Sequence, residues 1–145
     1  MKYSQIKALK TFTTSLFSEP CYKEVLENVL NNADDFEIEN VRFIKADRID
    51  DIQAEELTND LYCLGCFNAS FISEQTGIDQ ELIDIIQSAE GFEKLGEYIE
   101  NNCDMVEFAQ AYSSVDGYGH HFNGYDFGEE EITINGIDYL VFDNH

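Results

Sequence analysis

The stretch ITINGIDYLVF, residues 132–142, indicates a β-hairpin near the end of the chain. Asn135 and Gly136 separate two runs in which apolar and polar side chains alternate. A type I′ turn needs a positive φ at both central positions, and Asn and Gly adopt that conformation most readily. The predicted register pairs Ile134 with Ile137 and Ile132 with Tyr139.

The segments before this hairpin mostly show helical spacing of apolar residues. Two helices are predicted early in the chain, one over 4–16 and one from Ser18–Pro20 to about Asn31–Asn32. Residues 49–75 are predicted to be helical with a break around 58–60, and Gly77 is predicted to stop that segment. A further helix is predicted to begin at an Asp79 cap, and residues 91–112 are predicted to form one or two more. The inward side chains are predicted to be Tyr22, Val25, Leu26 and Val29; Leu82, Ile83, Ile85 and Ile86; and Phe92, Leu95, Ile99, Cys103 and Val106.

Two further segments predict β-structure. Residues 36–45 alternate but change phase near Asn40, which indicates one strand with a bulge. A second Asn–Gly pair at 123–124 predicts another hairpin. The expected fold is α+β, with a helical N-terminal two-thirds packed on a small antiparallel C-terminal sheet. With 145 residues, 43% of them apolar, the chain is predicted to form a single domain over 1–145.

The charge is strongly negative and unevenly distributed, with a net value of −22. Residues 1–48 hold seven basic and eight acidic residues, whereas residues 49–145 hold Lys94 alone against 22 acidic residues. Solubility of a small domain requires a net charge of only about 2–8. Contacts to nucleic acid or to an anionic membrane need Lys and Arg, so the expected partner is instead a basic protein surface.

An acidic stripe occupies residues 90–107, where carboxylates recur at steps of three and four. Its members are Glu90, Glu93, Glu97, Glu100, Asp104 and Glu107. A single helix would place them about 5 Å apart along one face, which loosely matches the phosphates of a DNA strand. The alternative is an ordinary solvated helix face, and Gly91, Gly96 and Asn101–Asn102 argue against one unbroken helix. Two further clusters extend the negative field, at 50–56 and at Glu129, Glu130 and Glu131.

The aromatic loop, VDGYGHHFNGYDFG over residues 115–128, combines four glycines with many rings. It is interpreted either as hairpins that cover the sheet or as a contact loop for a protein partner, in which Tyr118, Phe122 and Tyr125 would bind. A third interpretation uses His120 and His121 in catalysis or metal binding. Adjacent histidines on a strand point to opposite faces, which disfavours that interpretation.

The cysteines include a CxxC pair, Cys63 and Cys66, whose spacing suits zinc or redox chemistry. No second CxxC exists, although Cys21 and Cys103 could complete a four-thiolate site. The surrounding LYCLGCFNASFI has the character of a buried helix, so we expect the thiols to pack in the core.

The chain also lacks the phosphate-loop, dinucleotide, serine-hydrolase, zinc-protease and calcium-loop motifs. We therefore predict neither catalytic residues nor a cofactor.

In size, charge and acidic spacing, the chain resembles the small acidic proteins that phages make to block host defence, including DNA-mimicking anti-restriction and anti-CRISPR proteins. The acidic stripe and the two acidic clusters carry this resemblance, and GYGHHFNGYDFGEEEI (117–132) is similar to phrases in phage reading frames. The resemblance implies competition with nucleic acid for a basic groove in the host cytoplasm, without chemistry.

The function predicted from the sequence is an acidic protein that binds and inhibits a basic, nucleic-acid-binding host protein. The alternatives are an interaction module that uses the aromatic loop and a small zinc-binding or catalytic protein. A homodimer would lengthen the charged surface. The start of the chain lacks a secretory signal and no apolar run is long enough to span a membrane, so a cytoplasmic location with reduced cysteines is expected.

Overall fold

The computed structural model describes Leu9, residues 11–13 and residues 21–144. The helices with defined ends are α1 (Tyr22–Leu30), α2 (Ile49–Thr58), α3 (Leu61–Gly65), α4 (Ala69–Thr76), α5 (Gln80–Ser88), α6 (Phe92–Asn102), α7 (Met105–Asp116) and α8 (Gly119–Phe122). The strands are β1 (Asp35–Ile38), β2 (Val41–Lys45), β3 (Glu130–Ile134) and β4 (Ile137–Asp143). The fold is α+β, as predicted. Leu9 and residues 11–13 are helical, but the rest of the predicted 4–16 helix and the predicted start of the next helix at Ser18–Pro20 lie outside the described residues.

The chain divides into two compact units. The sheet unit comprises residues 1–49 and 116–145, and the helical unit comprises residues 50–115. Each unit has its own cluster of buried apolar side chains. The prediction that the chain forms one domain stays a prediction.

The sheet unit is built on four antiparallel strands in the order β1-β2-β4-β3. The hairpin predicted from residues 132–142 is confirmed, including both predicted residue pairs. Asn135 and Gly136 have φ values of 53° and 77°, as a type I′ turn requires. On one face of the sheet, Val25 and Val29 of α1 pack with Val41, Phe43 and Val141. This confirms the predicted inward side of α1.

Residues 35–45 form a hairpin rather than the single bulged strand predicted from the sequence. Glu39 and Asn40 make its two-residue turn with φ values of 48° and 66°. Glu in this left-handed region costs energy. Stacking of Phe36 on Phe43, with ring centroids 4.8 Å apart, holds the two strands together. The sheet therefore takes two of its strands from residues 35–45, ahead of the helical unit.

The helical unit is organised by residues that begin and end short helices. The predicted break after Thr58 and the stop at Gly77 are confirmed, the latter with φ 78°. The cap at Asp79 is also confirmed, since its Oδ1 accepts a hydrogen bond from the Glu81 N–H at 2.9 Å. Asp60, Asn68 and Asp104 cap α3, α4 and α7 in the same way.

Helices α3 and α6 cross at van der Waals distance through two glycines. A Cβ added to Gly96 would lie 1.9 Å from the Leu61 carbonyl oxygen, and one added to Gly65 would lie 1.8 Å from that of Phe92. Only glycine allows two helix backbones to approach this closely. Gly96, which looks like a helix breaker in the sequence, therefore lies inside α6 and serves packing.

Candidate functional site

The acidic stripe is divided between two helices. Glu93, Glu97 and Glu100 lie on α6, which ends at Asn102, and Glu107 lies on α7. Cys103 has extended backbone angles, φ −118° and ψ 150°, so the helices cannot form one rod. The break falls at Cys103–Asp104 rather than at Gly96. A continuous six-carboxylate ladder over residues 90–107 is therefore excluded.

Two members of the stripe have local structural roles. Oδ1 of Asp104 accepts hydrogen bonds from the N–H groups of Val106 and Glu107 at 3.0 and 3.2 Å. These bonds satisfy backbone donors at the start of α7. Glu90 is the C-terminal turn residue after α5, with φ 59°. The remaining contiguous set is Glu93, Glu97 and Glu100, where Glu97 also pairs with Lys94 at 3.4 Å.

The helical unit contains 15 acidic residues and one basic residue, Lys94. Every residue of this unit is described, and none of the 15 carboxylates is buried. Eight of them cap a helix or lie in its first turn, where a helix dipole favours negative charge: Asp50, Asp51, Asp60, Asp79, Glu81, Glu93, Asp104 and Glu107. The other seven lack that role: Glu55, Glu56, Glu74, Asp84, Glu90, Glu97 and Glu100. Helix capping thus explains about half of the acidity of this unit.

The second acidic cluster lies in the sheet unit. Glu129, Glu130 and Glu131 are exposed, and the latter two begin the edge strand β3. Successive side chains on a strand point to opposite faces, so Glu130 and Glu131 do not form one row. This cluster and the acidic stripe lie on different units.

The aromatic loop contains the short helix α8 and not the predicted hairpin at 123–124. Asn123 is buried and organises the turn that follows. Its Nδ2 donates to Asp126 Oδ1 at 2.7 Å and to the Gly128 carbonyl at 2.9 Å, while its Oδ1 accepts from the Tyr125 and Asp126 N–H groups. These bonds replace the strand pairing that the Asn–Gly pair predicted.

The three aromatic residues predicted to bind a partner have different environments. Phe122 is buried against Phe142, with ring centroids 5.1 Å apart, and the Arg42 guanidinium lies over the Phe122 ring, with Cζ 5.0 Å from its centroid. Tyr118 is half-buried, whereas Tyr125 is 73% exposed. Phe127, which was not among the predicted binding residues, is 57% exposed. Its φ of 57° is unusual for a bulky residue and was not readable from the sequence.

His120 and His121 lie on α8, so the prediction that they point to opposite faces of a strand was wrong. The His120 ring lies 4.9 Å from that of Phe127, and the His121 ring lies 4.6 Å from that of Phe122. Among the described residues, no group of three or more His, Cys, Asp or Glu side chains is arranged to hold a metal ion.

Cys63 and Cys66 are exposed, so the prediction that the CxxC pair packs in the core was wrong. Leu64 and Gly65 take the inward positions of α3 instead. A hydrogen bond to the Asp60 carboxylate, together with desolvation, raises the pKa of the Cys63 thiol. The same contact lowers the pKa of Asp60. Because the thiolate is the nucleophile and the metal ligand, this environment opposes both roles.

We predict two fast-reacting thiols, Cys63 and Cys66, when the native protein is titrated with DTNB. Cys21 is buried and Cys103 is partly buried, so both should react more slowly until the protein is unfolded. Asp60→Asn keeps a capping oxygen but removes the negative charge, which should lower the pKa of Cys63 and speed its reaction several-fold at pH 7. Measured in a Cys66→Ser background, an unchanged rate would contradict the assigned contact.

None of the helices in the described part of the chain combines the length and apolarity needed to cross a membrane. Comparisons of the chain with protein-family models, with curated proteins and with solved structures find no match. The functional interpretation therefore rests on the surfaces themselves.

Proposed function

We propose that this chain is an acidic interaction protein that binds and inhibits a basic, nucleic-acid-binding protein. The observation that carries the proposal is the charge of the helical unit, with 15 acidic residues against Lys94. Carboxylates of one sign attract a basic surface from a distance and speed association. The same field repels nucleic acid and anionic membranes, so a basic protein is the partner that fits.

The seven carboxylates without a role at a helix start give this proposal its strongest support. Like charges on one small unit repel each other and lower its stability. None of the helices over residues 50–115, all of which are described, has a basic residue in its last turn to offset them. Acidity beyond what the helix starts use is expected where a partner provides the opposite charge.

Helix α6 is the proposed centre of the carboxylate surface. Glu93, Glu97 and Glu100 follow each other at steps of four and three on this helix. At 1.5 Å per residue they span about 10 Å, roughly three phosphate steps of one DNA strand. The surface is short, so the proposed mimicry concerns a small part of a nucleic-acid groove. The proposal includes a cytoplasmic location in a phage-infected host, and the homodimer stays a prediction.

Affinity purification with the tagged chain tests this function. We expect the wild type to retain basic proteins from a bacterial lysate and to release them as salt is raised, because screening weakens exposed charge pairs. A purified retained protein should then lose bound DNA or RNA when the chain is added, as measured by fluorescence anisotropy. The proposal fails if no basic protein is retained at low salt, or if the retained protein binds the chain and nucleic acid together.

Two variants with the same change in net charge locate the surface. We expect Glu93→Gln/Glu97→Gln/Glu100→Gln to weaken binding of the retained protein by about tenfold or more, which corresponds to about 1.4 kcal/mol. The triple variant Glu129→Gln/Glu130→Gln/Glu131→Gln is the matched control and should weaken binding less. Equal losses in the two variants would show that total charge matters and that α6 is not the centre.

The aromatic loop supports a second candidate function, a protein-contact module. Tyr125 and Phe127 are exposed on a turn that the buried Asn123 holds in place, and ordered aromatic side chains bind at low entropic cost. In the same binding assay, Tyr125→Ser/Phe127→Ser should leave affinity unchanged if the carboxylate surface binds. A loss in this variant, with both glutamine variants unaffected, favours the module.

A further inference from the structure

The apolar side chains of α5 extend around more of the helix than the neighbouring elements bury. Leu82, Ile83, Ile85 and Ile86 were all predicted to be buried, and together they span an arc of about 160° at 100° per residue. Ile83 is fully buried and Ile86 is partly buried. Leu82 and Ile85, however, are 50% and 65% exposed. Two large apolar side chains, three residues apart on one helix, are thus left in solvent.

The rotation of α5 is fixed, so these side chains cannot turn inward. The Gln87 side chain donates from Nε2 to the carbonyl oxygens of Gly65 and Phe67 at 2.9 and 2.8 Å. Gln87 and Ile83 are four residues apart and therefore share the inward face. The Asp79 cap fixes the start of the helix. Exposure of Leu82 and Ile85 is a consequence of this anchoring.

One acidic residue borders the exposed apolar pair. Glu81 lies four residues, about one turn, before Ile85 and is exposed, whereas Asp84 is exposed farther around the helix on the same side. Ala89, four residues after Ile85, is exposed as well and continues the same side. Spacing of three and four along one side is the seam on which a second helix packs, with charged residues at its borders selecting the partner. Here one border is Glu81 and the other is the partly buried Ile86, and the unit that carries the helix has 15 acidic residues against Lys94.

We propose that the Leu82–Ile85 face of α5 is a docking site for a basic amphipathic helix of another protein. Its apolar side chains would pack on Leu82 and Ile85, and its Lys or Arg side chains would meet Glu81 and the negative field of the helical unit. A second copy of this chain would place like charges opposite each other, and an anionic membrane or a nucleic acid would be repelled. This inference rests on the proposed function, since it assumes a basic partner, and it adds an apolar contact to it.

Two synthetic peptides of identical composition test the docking site. Both are fluorescein-labelled and contain only Leu and Lys; one is ordered to form an amphipathic helix, and the other is scrambled. We expect the wild-type chain to bind the amphipathic peptide about tenfold more tightly than the scrambled one, by anisotropy. Leu82→Ser/Ile85→Ser should abolish this preference. Val115→Ser, at a position that is 74% exposed in the same unit, is the matched control and should keep it.

The outcomes separate the docking site from the proposed function. Equal binding of both peptides by the wild type overturns the docking site and leaves the basic partner in place. Binding of neither peptide contradicts both. A preference that survives Leu82→Ser/Ile85→Ser, with unchanged helical circular dichroism, also overturns the site. Sedimentation of the wild type as a dimer and of this variant as a monomer would show that a second copy covers the face.

Discussion

Gly96→Ala is expected to destabilise the helical unit by at least about 2 kcal/mol, although alanine is the better helix former. In the interior of a solvated helix, the same change stabilises by about 1 kcal/mol. At Gly96, the new Cβ would lie 1.9 Å from the Leu61 carbonyl oxygen, which is backbone and cannot move by a side-chain rotation. Helices α3 and α6 must separate, and overpacking of this kind costs about 1–3 kcal/mol or more.

Urea unfolding followed by circular dichroism at 222 nm measures this effect. Gly65→Ala is expected to behave like Gly96→Ala, because its Cβ would meet the Phe92 carbonyl oxygen at 1.8 Å. Gly124→Ala is the control, since nothing lies within 4 Å of a Cβ built there, and it should change stability by less than about 0.5 kcal/mol. A more stable Gly96→Ala protein would contradict the close crossing of α3 and α6.

Asn123→Ala is expected to destabilise the sheet unit by about 3 kcal/mol and to release the turn that carries Tyr125 and Phe127. The side chain is 1% exposed and makes four hydrogen bonds, two as donor and two as acceptor. Each such bond contributes about 0.5–1.5 kcal/mol net, and a buried group left without a partner costs more. These bonds help to hold Phe127 at its unfavourable φ of 57°, so their loss should weaken the turn.

The matched comparison is Asn144→Ala, which removes a single hydrogen bond, from Nδ2 to the Phe122 carbonyl at 3.2 Å. We expect a cost of about 1 kcal/mol there. Unfolding in urea gives both free energies, and near-ultraviolet circular dichroism reports on the ordering of the aromatic side chains of the loop. Equal costs for the two variants would show that the Asn123 network does not stabilise the native protein.

Local backbone preferences determined the features that the sequence predicts well. Asn135–Gly136 specifies its turn because both residues accept a positive φ, and Asp79 begins α5 because its side chain satisfies the Glu81 N–H. Gly77 ends α4 for the same kind of local reason. The α+β class followed from these elements together with the spacing of apolar residues.

Tertiary contacts decided the features that the sequence predicts poorly. Two Asn–Gly pairs look alike, yet the residue before Asn123, Phe122, packs on Phe142 of β4, whereas Asn135 turns a hairpin. Gly96 looks like a helix breaker in the sequence, but in the structure the Leu61 backbone lies so close to it that only glycine fits. In both cases the deciding atoms lie on a neighbouring segment.

For the candidate surfaces too, some features follow from the sequence alone and others only from the tertiary structure. The sequence by itself determined the charge imbalance, because a count of ionisable side chains needs no fold. Only the tertiary structure showed that the acidic stripe breaks at Cys103–Asp104 and that Leu82 and Ile85 face solvent. The periodicity of a helix defines which residues share a face, but the elements packed against it determine how much of that face is covered.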